Sequence, residues 1–228
     1  TPMETADLEP MPLEEEVEFL LTHAARYLTQ DPTRADVLSC FAGLRPLVGT
    51  GGDDTSSLSR DHTLQVSHSG LVTLTGGKWT TYRKMAEDTV DHGMVLGDLD
   101  PRECVTRELN IHGFHTHPER FGDLAAYGSD APEVESLIRS DPSFADPIHP
   151  RLRPRGGEVA WAVRQEMART VDDVLARRTR SLVLDARASV EAAPGVARLM
   201  ARELDRDEGW VSDQVEEFTR LAEAYILS

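Results

Sequence analysis

Lysine is almost absent from this sequence. Only Lys78 and Lys84 occur among the 228 residues, and arginine supplies the remaining full positive charge. Acidic residues outnumber lysine plus arginine by 40 to 24, which gives a formal net charge of −16. Such a charge repels the phosphates of nucleic acid and anionic lipid headgroups, so we expect neither as the main partner. The lysine-poor, acidic composition fits either a salt-rich cytoplasm, where salt screens the repulsion, or codon bias.

Cysteine and long apolar runs are also scarce. Cys40 and Cys104 are isolated and form no C-x-x-C pair, which indicates reduced structural thiols in a cytoplasmic protein. No apolar run approaches the roughly 20 residues that span a bilayer, and the first residues do not form a charged-then-apolar signal. The chain opens with TPMETADLEP rather than with methionine, and we expect it to be a part of a longer protein.

The composition and its change along the chain predict the organisation. Hydrophobic residues make up 39% and charged residues 28%, which is typical of a globular chain with a sizeable core. Turns, loops and β-type runs dominate residues 1–98, and helical patterns dominate residues 106–228, with a linker at 99–105. The predicted fold class is therefore α+β: a domain with short β-strands and helices is followed by an all-α C-terminal domain.

Local patterns predict the individual elements. Pro12 and the acidic residues after it start an amphipathic helix that extends to about Leu28, and SCFAGLRPLV (39–48) is typical of a strand. HTLQV and LVTLT, separated by SHSG, predict a hairpin with Gly70 in its turn. Helices are predicted over Glu119–Tyr127, Pro132–Arg139, Gly157–Glu166, Thr170–Arg178, Leu182–Glu191, Gly195–Asp205 and Val211–Leu227.

Three other motifs favour structural interpretations. GTGGDD (49–54) places Asp54 where a dinucleotide-binding loop needs its third glycine, so we interpret it as a surface loop. HGFHTH (112–117) could recruit a metal through its imidazoles, but it lacks a cysteine or an i,i+4 helical pair, and a plain loop is favoured. The arginines of ARRTR (176–180) have acidic neighbours, which is typical of salt bridges on solvated helices.

The stretch GGKWTTYR (76–83) carries a sharper hypothesis, because two glycines stand between a predicted strand and a predicted helix. Glycine permits positive φ and lets the backbone approach a ligand closely, and the first amides of a helix carry partial positive charge. Lys78 adds a mobile full charge, and Thr80 or Thr81 is expected to cap the helix. The stretch is predicted to bind an anion; a purely structural strand–turn–helix connection is the alternative.

Two arginines strengthen the hypothesis of an anion site. Arg45 ends the predicted strand before Pro46, and Arg60 stands just before the hairpin. If the strands are neighbours, Arg45, Arg60 and Lys78 converge at one rim. Three converging cations in an acidic protein indicate an anionic substrate, and arginine suits two-point contact with a phosphate.

These motifs also carry a family resemblance. FAGLRPLV, SRDHTLQV, SGLVTLTGGKWTTYRKMAEDTVD and TVDDVLARRTR resemble the FAD-dependent, quinone-linked glycerol-3-phosphate dehydrogenases. The resemblance covers essentially the whole chain and is most specific over residues 39–92. It implies a partial FAD- and substrate-binding domain followed by the helical C-terminal domain. The family's N-terminal glycine-rich unit, which cradles the FAD pyrophosphate, is not in this sequence, so we expect flavin binding and turnover of the complete protein rather than of this portion alone.

The resemblance implies roles for particular residues. Arg45, Arg60 and Lys78 would bind the substrate, and Arg45 would polarise its reacting C2 hydroxyl as the catalytic residue. The flavin ring would lie over a turn whose helix N-terminus stabilises negative charge on the reduced flavin. The residues of this cofactor-binding turn are Gly76, Gly77, Lys78, Trp79, Thr80 and Thr81.

The implied reaction transfers hydride from C2 of sn-glycerol 3-phosphate to flavin N5 and gives dihydroxyacetone phosphate, with electrons passing to a quinone. The resemblance leaves open a homodimer and peripheral association of the complete enzyme with the inner face of the cell membrane. Two alternatives remain open: a glycerophosphate oxidase that uses O2, and a helical assembly module with no activity of its own.

Overall fold

The computed structural model describes residues 5, 7–44 and 62–227. Residues 62–111 belong to one compact unit, and residues 8–43 together with 112–227 belong to a second. Short strands and helices in the first unit and a largely helical second unit confirm the predicted α+β fold class. The domain boundaries predicted from sequence, with the linker at 99–105, stay a prediction. The predicted GTGGDD loop lies outside the described residues.

The first unit consists of a hairpin followed by a helix. Strand β1 (His62–Val66) pairs antiparallel with β2 (Val72–Gly76), and a 3-10 turn (Trp79–Thr81) leads into helix α2 (Tyr82–Leu96). Gly70 has a φ of 85° in the hairpin turn, the conformation that glycine adopts without steric penalty. The predicted hairpin is therefore confirmed.

The second unit contains the remaining elements. In chain order these are α1 (Glu14–Ala25), a 3-10 turn (Arg34–Asp36), a 3-10 segment (Pro118–Asp130), α3 (Ala131–Ser140), α4 (Pro142–Ala145), β3 (Pro147–His149), β4 (Leu152–Arg155), α5 (Gly156–Gln165), a π-helix (Asp173–Arg178), α6 (Ser181–Leu184), α7 (Ala186–Leu204) and α8 (Glu208–Glu223). The antiparallel β3–β4 ribbon inside this helical unit had no predicted counterpart.

The core of the second unit lies among α5, the π-helix, α7 and α8. Val159 of α5, Leu175 of the π-helix, Met200 of α7 and Phe218 of α8 are buried together. Burial of their apolar area is the main stabilising contribution of this packing. The helices predicted over residues 132–139, 157–166 and 211–227 are confirmed as α3, α5 and α8.

The predicted strand over residues 39–48 is wrong for its described part, 39–44. The amide of Cys40 donates to the carbonyl of Tyr225 at 2.9 Å, and the Ser39 hydroxyl donates to the carbonyl of Leu182 at 2.8 Å. The first bond satisfies a backbone amide that a strand would have paired in a sheet, and the second ties the segment to α6.

Helix α7 differs from the two helices predicted over Leu182–Glu191 and Gly195–Asp205. Asp185 ends α6 and caps α7, because its carboxylate accepts from the amide of Ala188 at 2.9 Å. Helix α7 then continues through Pro194. Proline removes one helical hydrogen bond, and buried small side chains on both sides of it compensate by packing. The predicted separation near the proline is therefore wrong.

Two other predicted helices have unusual backbone. The helix expected over Thr170–Arg178 becomes a π-helix. The helix expected over Glu119–Tyr127 is a 3-10 segment interrupted at Gly122 and Gly128, whose φ values are 57° and 53°. The amide of Ser129 there donates to the carbonyl of Gly113 at 3.1 Å, which holds the segment against the chain that precedes it.

Candidate functional site

The candidate site is the turn between the hairpin and helix α2. Gly76 lies at the end of β2 opposite His62 of β1, and the ladder continues to Val66 opposite Val72. This register fixes the residue at which the chain leaves the sheet, so the Gly-Gly-Lys sequence directly connects the hairpin to the start of the helix. The predicted residues 76–81 are thus brought together in one continuous turn.

Both glycines of the turn have positive φ, 75° at Gly76 and 79° at Gly77. A Cβ at Gly77 would lie 2.5 Å from Sδ of Met85 and 3.3 Å from Cβ of His62. The turn therefore needs glycine for two independent reasons, backbone conformation and close packing. This observation confirms a tight turn at Gly77, and its role in binding a cofactor stays a prediction.

Thr81 fixes the start of the helix. Its hydroxyl donates to the carbonyl of Lys78 at 2.9 Å and lies 3.3 Å from the Lys78 amide. Of the two predicted candidates, Thr81 is the N-cap residue of α2, but its side chain accepts no hydrogen bond from an amide of α2. The amides that open a helix have no intrahelical acceptor and carry partial positive charge, so this end of α2 is electropositive.

The two lysines of the sequence have different environments. Nζ of Lys84 lies 2.8 Å from Asp88 and 3.6 Å from Glu87, and the hydrogen bond to Asp88 raises the pKa of Lys84. Lys78 is exposed and forms no ion pair within the described residues. Of the two ammonium groups, only that of Lys78 is thus available to an anion at the turn.

A histidine and an aspartate hold the helix against the hairpin. Nε2 of His62 lies 2.9 Å from Oδ2 of Asp88, and hydrogen bonds from Lys84 and His62 lower the pKa of the Asp88 carboxyl. This contact joins β1 to α2 next to the Gly-Gly turn. Sequence reasoning missed the pair, and the only signal was a histidine at the strand position that faces the turn.

Trp79 and Tyr82 form an apolar surface beside the turn. Their rings are stacked, with centroids 5.1 Å apart and an interplanar angle of 20°, and Trp79 is 84% exposed. An indole exposed to this extent beside an electropositive helix end is suited to contact a planar ligand.

The remaining predicted site residues stay untested. Arg45 and Arg60 lie outside the described residues, and their convergence with Lys78 remains a prediction. In the HGFHTH segment, His112 binds Asp130 at 2.6 Å and His117 approaches Glu119 at 3.3 Å. Within the described part of the chain, no three His, Cys, Asp or Glu side chains are grouped so as to hold a metal ion.

Among the described residues, no helix is both long enough and apolar enough to cross a membrane.

Known proteins resemble the chain over nearly its whole length. It is 38% identical over 229 residues to the probable mitochondrial glycerol-3-phosphate dehydrogenase of Caenorhabditis elegans, covering 90% of this chain and 31% of that protein. It is 34% identical over 250 residues to the mitochondrial glycerol-3-phosphate dehydrogenase of Arabidopsis thaliana, covering 95% of this chain and 39% of that protein. The chain thus spans roughly a third of the length of these relatives.

A solved structure shares the fold. The glycerol-3-phosphate dehydrogenase from Bacillus halodurans, determined in complex with FAD, matches with a TM-score of 0.72 and 23% identity over 97% of this chain and 47% of that one. Residues 71–210, more than half of the chain and including the Gly-Gly-Lys turn, match the family described as the C-terminal domain of alpha-glycerophosphate oxidase. The chain belongs to this family.

Proposed function

We propose that this chain is the distal part of a flavin-dependent sn-glycerol-3-phosphate dehydrogenase, which oxidises glycerol 3-phosphate to dihydroxyacetone phosphate and passes electrons to a quinone. The observation that carries the proposal is the exposed ammonium of Lys78, which follows two positive-φ glycines at the start of a helix. A phosphate-bearing substrate suits such a site, because the helix end and the lysine both favour negative charge. The names of the relatives supply the reaction class.

The residues at the turn fit one edge of FAD. Gly76 and Gly77 present backbone without side chains, and Trp79 and Tyr82 offer a stacked aromatic surface. The positive end of α2 favours negative charge on a reduced flavin. Bound FAD would supply the hydride acceptor, and the protein's own groups bind the substrate and hold it in place.

Those groups also orient the substrate. Lys78 provides a charge-assisted hydrogen bond to the phosphate or to a hydroxyl of the substrate. Within the same proposal, Arg45 and Arg60 bind the phosphate and hydroxyls, and Arg45 polarises the C2 hydroxyl that loses its hydrogen. His62 and Asp88 act indirectly, because they hold α2 and therefore the turn in place.

The setting of the complete enzyme is part of the proposal. We place it in the cytoplasm, as a homodimer associated peripherally with the inner face of the cell membrane. On α1, Phe19 is 58% exposed and Leu20 is 62% exposed. These two observations support the proposal, because exposed large apolar side chains are suited to contact another subunit or a membrane surface.

The two lysines provide a matched test in the complete protein. Lys78→Gln should lower kcat/KM for glycerol 3-phosphate by about 10- to 100-fold, since a lost charged hydrogen bond is worth about 1.5–3 kcal/mol. Lys84→Gln, which removes the same charge from an ion-paired lysine, should leave kcat/KM within about twofold. The assay follows reduction of an artificial dye. Near-normal kinetics for Lys78→Gln would refute the assignment of this turn as the substrate site.

A glycerophosphate oxidase is the second candidate, and the description of the matching family favours it. The oxidase would use the same substrate site but deliver electrons to O2. Peroxide measured per substrate consumed separates the two enzymes: a stoichiometric yield identifies the oxidase, and a negligible yield together with quinone reduction identifies the dehydrogenase.

A further inference from the structure

The second unit contains a cavity of about 660 Å³. This volume lies within the range of about 300–1,000 Å³ that is usual for small-molecule sites. Its walls come from the 3-10 segment, the β3–β4 ribbon, α5, the π-helix and α6. The Gly-Gly-Lys turn belongs to the other unit and contributes no side chain to this cavity.

The lining combines an apolar part with a set of arginines. Leu38, Ala126 and Leu152 contribute apolar surface; Leu152 is 6% exposed, whereas Leu38 is 51% exposed and Ala126 lies at the exposed edge. Arg177 and Arg178 line the same space from the π-helix. A ligand that satisfies both parts needs an apolar body and an anionic group.

Both arginines are held in place yet keep donor groups for a ligand. The Arg178 guanidinium donates through Nε and Nη2 to the carbonyl oxygen of Glu166. Arg177 donates through Nε to Asp173 at 3.0 Å and through Nη2 to Asp172. Among the described residues, the second terminal nitrogen of each guanidinium has no partner. Anchored guanidinium groups lose little further side-chain entropy on binding an anion.

The lining also contains four carboxyl groups. Those of Asp185 and Asp123 lie 3.3 Å from Arg151 and 3.7 Å from Arg153 of the same lining, respectively, and the other two belong to Glu158 and Glu166. Glu158 is 9% exposed, and its Oε1 accepts from the Tyr127 hydroxyl at 3.1 Å. Burial raises the pKa of the Glu158 carboxyl and of the Glu166 carboxyl. Both shifts make ionisation less favourable than in a solvent-exposed carboxyl, and Oε2 of Glu166 lies 3.8 Å from Nε of Arg178.

Two backbone anomalies flank the arginines. The amide of Thr179 donates to the carbonyl of Val174 at 2.9 Å, which is the wide i to i+5 bond of a π-helix. Arg180, directly afterwards, has a left-handed φ of 58°, a strained conformation for a residue with a side chain. π-Turns occur frequently at functional sites. The strained wall of the cavity is the wall that presents the two arginines.

We propose that this cavity binds a small organic anion, in which one carboxylate or phosphate group is attached to an apolar body, with Arg177 and Arg178 contacting the anionic group. The proposal rests on residues of the second unit alone, so it stands or fails independently of the proposed dehydrogenase activity.

Three probes test the proposal on the 228-residue chain. Phenyl phosphate, benzoate and neutral benzamide are each titrated calorimetrically. At least one of the two anions should bind about tenfold more tightly than benzamide, because it gains a charge-assisted hydrogen bond. The ratio of the phenyl phosphate and benzoate affinities identifies the preferred anionic group. Equal affinity for benzamide, or failure of both anions to bind, would overturn the proposal.

Three variants locate the binding. Arg178→Gln should weaken binding of the preferred anion about tenfold. Ala126→Phe should weaken it similarly by placing a ring at the cavity edge while keeping both arginines, and its melting temperature checks that it folds. Arg198→Gln, which removes an exposed arginine of α7 outside the cavity, is the matched control and should bind normally. Unweakened binding in a folded Ala126→Phe variant would place the anion elsewhere and refute the assignment.

Discussion

Replacing Gly77 by alanine should destabilise the first unit through two separable effects. The first is backbone strain, because a φ of 79° in a residue with a Cβ costs about 1–2 kcal/mol. The second is a steric conflict, because the new Cβ would lie 2.5 Å from Sδ and 2.8 Å from Cε of Met85. Met85 can relieve this conflict by changing rotamer, at about 0.5–1.5 kcal/mol. The expected total is about 2–3 kcal/mol.

Gly70 provides the control for backbone strain alone. Its φ is 85°, but an added Cβ would meet nothing within 4 Å. Gly70→Ala should therefore cost only about 1–2 kcal/mol. The difference between the two substitutions measures the contacts of the added Cβ with Met85 and with His62.

A double-mutant cycle then tests the contact with Met85 directly. Met85→Ala removes the atoms that conflict with a Cβ at position 77, so the double variant should regain about 1 kcal/mol relative to the sum of the single changes. Hydrogen exchange of the amides in β1 and β2 measures the stability of this unit without interference from the second. The reasoning is refuted if Gly77→Ala costs no more than Gly70→Ala, or if the cycle shows no coupling.

The hairpin and the helix after it could be predicted because their signals are local. The alternation in HTLQV and the glycine of SHSG are contained within a few residues, and β1 and β2 form as these patterns require. The Lys78 turn was found for the same reason, since two adjacent glycines between a strand and a helix are visible in the sequence. His62 and Asp88 stand 26 positions apart, and no local pattern indicates that they meet.

The second unit shows where local patterns lose their value. The predicted helices Leu182–Glu191 and Gly195–Asp205 left a gap around Pro194, but Pro194 lies inside α7, because packing of the small side chains around it outweighs the lost hydrogen bond. The π-helix is equally invisible in sequence, since an ordinary helix satisfies the same apolar spacing. The cavity draws its lining from positions as distant as Leu38 and Asp185, so only the tertiary fold brings these residues together.

Three further predictions concern charges in the second unit. Burial opposes ionisation of Asp173, but two backbone amides and an arginine stabilise its carboxylate and lower its pKa to about 2. The ionised carboxylate should therefore add about 1 kcal/mol, after solvent screening, to the free energy of unfolding above pH 4, and this contribution should be lost as the pH falls towards 2. In urea unfolding, Asp173→Asn should therefore show a smaller acid-induced loss than the matched surface variant Asp213→Asn, and equal losses would contradict the assignment. Burial raises the pKa of Glu158 above its ordinary value of 4.5, so the stability that the neutral acid contributes is lost as the pH rises from 4.5 through the folded-state pKa. Relative to the native chain, Glu158→Gln should become more favourable as the pH rises above 4.5 and then level off, and a pH-independent difference would refute the cause. Arg164 donates to both oxygens of Glu203 at 2.6 and 3.0 Å, and the Glu203 side chain is only 8% exposed. Arg164→Met should cost about 2–3 kcal/mol, because it leaves a buried carboxylate without its principal partner, whereas adding Glu203→Leu should restore at least about half of that loss. If the double variant is instead as unstable as the sum of the two single changes, the loss on Arg164→Met comes from packing of the arginine stem rather than from an uncompensated charge.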